Sequence, residues 1–213
     1  MNVRNVCLPQ LLVFYQRYLA AGNLSGFVAE TAEVYTQGTL MRLAGDRNVS
    51  VRRAAILALT SLGDYQANPV MAEALRDEDF TVAVLAETGM KAIWQRDRTP
   101  RDRFSLHEIA RAVTAGETRL AEMLATEQIL KTPDFAEVWH QRGMARYQQG
   151  NYARAAADFR RALELNPHHF AAASMMGSAW LRLGESVPAR EAFRLSLRIN
   201  PRMREVRRQL KSL

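Results

Sequence analysis

Residues 136–169 read AEVWHQRGMARYQQGNYARAAADFRRALELNPHH, and three of them return at one fixed distance on either side. Gly150 lies 34 residues from both Gly116 and Gly184, Ala155 the same distance from Ala121 and Ala189, and Pro167 from Pro133 and Pro201. Each type has a mechanical reason to recur. A glycine ends the first helix of a pair in a left-handed cap, an alanine lets two antiparallel helices approach closely, and a proline closes the second helix and starts the next unit.

Trp139, Gly143, Tyr147, Tyr152, Ala155, Phe159, Ala162 and Pro167 make this segment similar to the tetratricopeptide repeat family. Residues 170–203 keep Gly177, Trp180, Leu181, Gly184, Ala189, Phe193 and Pro201 in the same register, with Ser196 where a small apolar alanine is usual. Upstream, residues 102–135 retain Ala112, Gly116, Ala121, Ala125 and Pro133 without the large aromatics, as a degenerate first repeat would. Beyond Pro201, Met203, Val206 and Leu210 form an apolar stripe backed by Arg204, Arg207, Arg208 and Lys211, which predicts a capping helix over 204–213.

The first hundred residues follow another period. Leu40 and Met71, Asp46 and Asp77, Val51 and Val82, Ala55 and Ala86, and Leu62 and Ile93 are each 31 apart. The wording of the first copy, Leu40, Leu43, Asp46, Val51-Arg52, Ala54-Ala55, Leu59 and Leu62-Gly63-Asp64, resembles short bacterial HEAT-like repeats. That resemblance implies that the arginine pairs with the aspartate of an adjacent turn, although the second copy has Ala83 in its place. Leu8–Ala21 and Phe27–Gln37 read as two earlier helices separated by a Gly22-to-Gly26 loop. Pro100, inside the charged stretch Gln95–Arg103, marks the junction. The expected domains are 1–98, HEAT-like, and 99–213, tetratricopeptide-like. Together the resemblances imply an all-α, right-handed α-solenoid of stacked antiparallel helix pairs.

Composition narrows the function classes. The 213 residues are 48% hydrophobic, enough for a buried core, and carry a formal charge of +7, with 26 arginines among the 29 basic residues. The arginines read either as solvated helix faces or as a footprint for an acidic partner. Cys7 is the one cysteine, so no intramolecular disulfide can form, and it reads as a small buried apolar residue. The apolar run from Cys7 to Phe14 behind Arg4 faintly resembles a secretory signal but stops at Gln16-Arg17. No stretch approaches the roughly 18 apolar residues of a membrane span, and the cytoplasm is the default compartment.

No phosphate loop, nucleophile elbow, paired Cys-x-x-Cys or His-Glu-x-x-His is present, so the chain reads as a non-enzyme without metal or cofactor. His107-Glu108 lacks a second histidine one turn on, and His168-His169 sits at the turn entering a helix. Asp77, Glu78 and Asp79 are expected to cap the helix that follows them. Arg142 and Arg146 stand where the family places leucine and tyrosine. Either they pair with Asp158, or with Glu137 and Glu164, or snorkel past the degenerate first repeat, or they contact an anion or carboxylate.

In tetratricopeptide arrays the first helix of each pair lines a groove. The register assigns that face to Glu137, His140, Met144 and Tyr147, then to Ser174, Ser178, Leu181 and Arg182, a mixture suited to a peptide. The lysines and asparagines with which some relatives grip a chaperone's C-terminal carboxylate are absent there. The expected function is a scaffold that binds a partner protein or peptide. The alternative is a nucleic-acid-binding HEAT-like solenoid using Arg52, Arg53, Arg182, Arg190, Arg194 and Arg198.

Overall fold

In the computed structural model, which describes residues 9–213, every regular element is helical. Cys7 and the expected helix start at Leu8 lie outside the described residues. The chain divides into two compact units between Ile93 and Trp94.

The first unit opens with α1 (Gln10–Ala21) and α2 (Leu24–Val34). Helix α2 begins three residues earlier than expected, because the Asn23 side chain accepts the Gly26 N–H at 2.9 Å and turns the anticipated loop into a first helical turn. It also ends earlier, at an extended Tyr35, and Gln37 opens the next helix. The two 31-residue copies follow as α3 (Gln37–Leu43) with α4 (Val49–Leu62), and α5 (Asn68–Ala74) with α6 (Phe80–Arg96). Their matched pairs Leu40 and Met71, Val51 and Val82, and Ala55 and Ala86 are all buried. Arg52 donates to both carboxylate oxygens of Asp77 at 2.7 and 2.9 Å, and Arg53 to both of Asp79. The Arg53 hydrogen bond draws the Asp79 carboxyl down to about 2. Asp79 also accepts the Val82 N–H in the first turn of α6.

The second unit is an all-α solenoid of helix pairs. After Trp94 come α7 (Pro100–Thr114) and α8 (Thr118–Lys131), then α9 (Ala136–Gln148) and α10 (Tyr152–Leu165). Then come α11 (Phe170–Arg182), α12 (Ser186–Ile199) and the closing α13 (Arg204–Lys211). Each helix packs on the next in sequence. Pro100 is the first helical residue of α7, and the Thr99 side chain caps it.

The period of 34 has a visible cause at each position. Gly150 adopts φ +81°, the left-handed cap after α9. Ala121, Ala155 and Ala189 are fully buried where paired helices touch. Gly143 and Gly177 lie against the rings of Phe159 and Phe193, so closely that a Cβ would come within 2.6 Å of each. The aromatic ring of the second helix thus packs onto bare backbone of the first. Val206 seals the last pair, with Met203, Leu210 and Leu213 around it.

Candidate functional site

Arg142 is buried, and its pairing explains why it is tolerated. Its Nε and Nη2 donate to the two oxygens of Asp158 at 3.0 and 2.8 Å, and its Nη1 donates to the Thr126 hydroxyl. Arg146, one turn on, donates to Asp158 at 2.9 Å and to Glu122 at 2.8 Å. Asp158, 2% exposed, therefore holds two guanidinium groups. The bond from Arg146 also holds the Glu122 carboxyl below its ordinary range. Of the partners expected for these arginines, Asp158 is the one used. Glu164 pairs with Arg161, and Glu137 bonds to histidines.

Those histidine bonds form a second polar cluster in the unit. Glu137, in the first turn of α9, accepts from Gln141 at 3.0 Å and sits 3.3 Å from His140 Nδ1 and 3.1 Å from His169 Nε2. His169 is the N-cap of α11, its Nδ1 accepting the Ala172 N–H at 3.1 Å. Trp94 stacks on its ring, centroids 4.4 Å apart. The cap fixes the chemistry. An Nδ1 that accepts leaves the proton on Nε2, pointed at Glu137, so His169 is neutral. Burial pushes its pKa below the ordinary value, against the raising influence of the Glu137 bond. Burial pushes the Glu137 carboxyl up, but the bonds from His140 and His169 outweigh it and hold the carboxyl well below its ordinary value.

One donor atom from each of these three residues falls within 4.8 Å of the others, a spacing that could hold a metal ion. The protonation state argues against one. A metal on His169 Nε2 would move the proton to Nδ1, where it would face the Ala172 N–H donor, and the cap would be lost. A metal on His140 Nδ1 would put a proton on Nε2, which is buried and has no hydrogen-bond partner among the described residues. The donor set suits proton-sharing hydrogen bonds better than metal ligation.

The groove candidates separate along the array. On α9, Glu137 is buried, His140 is turned into the cluster just described, and Met144 and Tyr147 pack against Phe159 and its neighbours. On α11, Ser174, Ser178 and Leu181 are half-buried and Arg182 is exposed. The Ser178 hydroxyl bonds back to the Ser174 carbonyl, and the Arg182 guanidinium to the Tyr152 hydroxyl at 2.9 Å. Sequence reasoning did not anticipate the roles of His169 and Trp94. The available signal was the position of His169, three residues before Ala172 at the start of a helix, where caps belong.

Four of the six arginines proposed as a phosphate-tracking set have other engagements. Arg52 and Arg53 are bound to Asp77 and Asp79, Arg182 to Tyr152, and Arg190 to the Leu213 backbone oxygen. Arg194 and Arg198 are exposed on α12. Nothing in this arrangement supports the nucleic-acid alternative. Among the described residues no helix is long and apolar enough to cross a membrane.

Residues 136–169 match the tetratricopeptide repeat family model. A TPR repeat-containing protein of Rhizobium etli is 31% identical over 87 residues, which cover 41% of this chain and 43% of that protein. The Protein SGT1 homolog of Oryza sativa subsp. japonica is 38% identical over 76 residues, covering 36% of this chain and 21% of that protein. The chain thus spans less than half the length of either curated relative. Among solved structures, MamA 41-end from Desulfovibrio magneticus RS-1 aligns over 91% of this chain and 95% of its own, at 17% identity and a TM-score of 0.44.

Proposed function

We propose that this chain, which carries tetratricopeptide repeats, is a scaffold that docks a partner protein or peptide along its first-helix face. The observation that carries the reading is one side of α11, where Ser174, Ser178 and Arg182 follow at intervals of four with Leu181 beside them; the serines and Leu181 are half-buried and Arg182 is exposed. At the start of that face Ala171 is half-buried where α9 has the buried Glu137. Small hydroxyls beside an accessible leucine and arginine can hydrogen-bond a peptide backbone while a side chain seats between them. Met144 and Tyr147 form the wall, and Glu137 and His140 hold α9 in place behind it. Glu137, buried and already accepting from Gln141, His140 and His169, is tied into the fold rather than presented to a ligand.

The test is a photo-crosslinking residue at Ser178 in the full-length chain, expressed in its native host, with Arg119 on the exposed side of α8 as control. Discrete protein adducts from Ser178 and none from Arg119 are expected. Equal adducts from both positions, or none from Ser178, would remove this face from consideration.

A further inference from the structure

Adding 34 to each member of the Arg142 cluster gives the residues at the same places in the next repeat. Arg142 becomes Met176, Arg146 becomes Trp180, Asp158 becomes Ala192, Glu122 becomes Ala156 and Thr126 becomes Arg160. All five successors line one cavity of about 400 Å³ between α10 and α12, floored by α11. The interval that charged side chains fill in one repeat stands open in the next.

We propose that this trough docks an acidic amphipathic segment of a partner protein, one large apolar side chain seated over Met176 and Trp180 and carboxylates meeting Arg160 and Arg198. The proposal rests on the scaffold reading but concerns a separate surface, reached from the second-helix side. The cavity falls within the order of 300–1,000 Å³ usual for sites that enclose a side chain or small ligand. Its walls are the methyl groups of Ala153, Ala156, Ala157 and Ala192, too short to fill it. Its floor is a half-buried methionine and tryptophan, residue types that anchor interfaces.

Charge selects the occupant. Where the preceding repeat has the Thr126 hydroxyl, the trough has the exposed Arg160, and Arg198 stands on the opposite lip. Between Arg190 and Lys211, which brackets most of α12 and all of α13, there are eight Lys or Arg and two Glu. Glu191 is the single acid on the rim. A basic segment would meet net repulsion here and an acidic one net attraction.

The experiment uses the full chain and two short labelled peptides followed by fluorescence anisotropy. Each carries Leu and Phe one helical turn apart, flanked by glutamates in one peptide and by lysines in the other. The acidic peptide is expected to bind, and the lysine version to bind about tenfold more weakly or worse. Ala157→Trp fills the trough from an exposed position and should abolish binding with no loss of melting temperature. Arg160→Glu should weaken the acidic peptide several-fold and improve the lysine one. Equal binding of both peptides, or acidic-peptide binding that survives Ala157→Trp, overturns the proposal. Loss on Ser178→Arg instead would move the peptide to the first-helix face, so that the trough fails while the scaffold reading stands. Self-association abolished by Ala157→Trp, without peptide binding, would assign the trough to a second copy and also overturn it.

Discussion

The two successive inter-helix intervals of the repeat array have the same backbone design and opposite chemistry. In the interval around α9, the buried Arg142 and Asp158 are packed together with the half-buried Arg146 and Glu122; around α11 the same positions hold Met176, Trp180, Ala192 and Ala156. The other face differs in the same way, with Glu137 and His140 answered by Ala171 and Ser174. The stacking geometry comes from the shared Gly-on-Phe and Ala-on-helix contacts. Those contacts hold the helix pairs whatever fills the space beside them, so one repeat can be closed by ions and its neighbour left open for a partner.

The largest expected effect comes from breaking the closed interval. Asp158→Ala leaves the buried Arg142 without its carboxylate and Arg146 with Glu122 alone, and should destabilise the second unit by about 3–5 kcal/mol in chemical denaturation. Copying the open interval onto the closed one, with Arg142→Met, Arg146→Trp, Asp158→Ala and Glu122→Ala together, should restore most of that loss. It removes every charged member of the network rather than one. If Asp158→Ala costs less than about 1 kcal/mol, the ion cluster does not hold the interval closed.

The contacts shared by the two intervals should respond alike. Gly143→Ala and Gly177→Ala each push a methyl into a phenylalanine ring and should cost about 1–3 kcal/mol apiece. A large cost at one and none at the other would show that the repeats are not mechanically equivalent. Below these comes Gly150→Val, at the positive-φ cap between α9 and α10, at about 1 kcal/mol or more. An unchanged melting temperature would dissociate that glycine from the cap.

What was legible in the sequence follows from which positions constrain the backbone. Glycine, alanine and proline at a period of 34 specify cap, close approach and turn, and those elements were placed from residue type alone. Arg142 and Arg146 stood out as charges in an interior register, and Asp158 was among the expected partners. Glu137 was assigned to the groove because register gives only the face of a helix. It could not reveal that His169, which the chain brings back to cap α11, would close over that carboxylate. The trough was invisible for a related reason: it is made by alanines, and a missing side chain leaves no mark in a periodic pattern until the neighbouring repeat shows what could have filled the space. At the other end of the chain, Asn23 capping α2 lengthened a helix across residues whose glycines read as loop.

The smallest expected effect is absent at neutral pH and appears only in acid. The folded chain holds the His169 imidazole below its ordinary value of 6.5 and the Glu137 carboxyl below its ordinary 4.5. In both cases the unfolded chain binds the proton more readily, so stability must fall as pH falls. The loss begins near pH 6.5 with His169 and steepens below pH 4.5, where Glu137 begins to be protonated in the unfolded chain. His169→Asn keeps a side chain able to cap α11 but removes the imidazole. Denaturant midpoints measured across this range should then lose the first part of the acid slope and keep only the share of the second that the His140 bond supports. The α11 interval, which has Ala171 and Ser174 in the corresponding places, has no comparable group to titrate. If His169→Asn leaves the slope above pH 5 unchanged, that imidazole is not the group that destabilises the closed interval in acid, and the neutral cap inferred from the Ala172 bond is wrong.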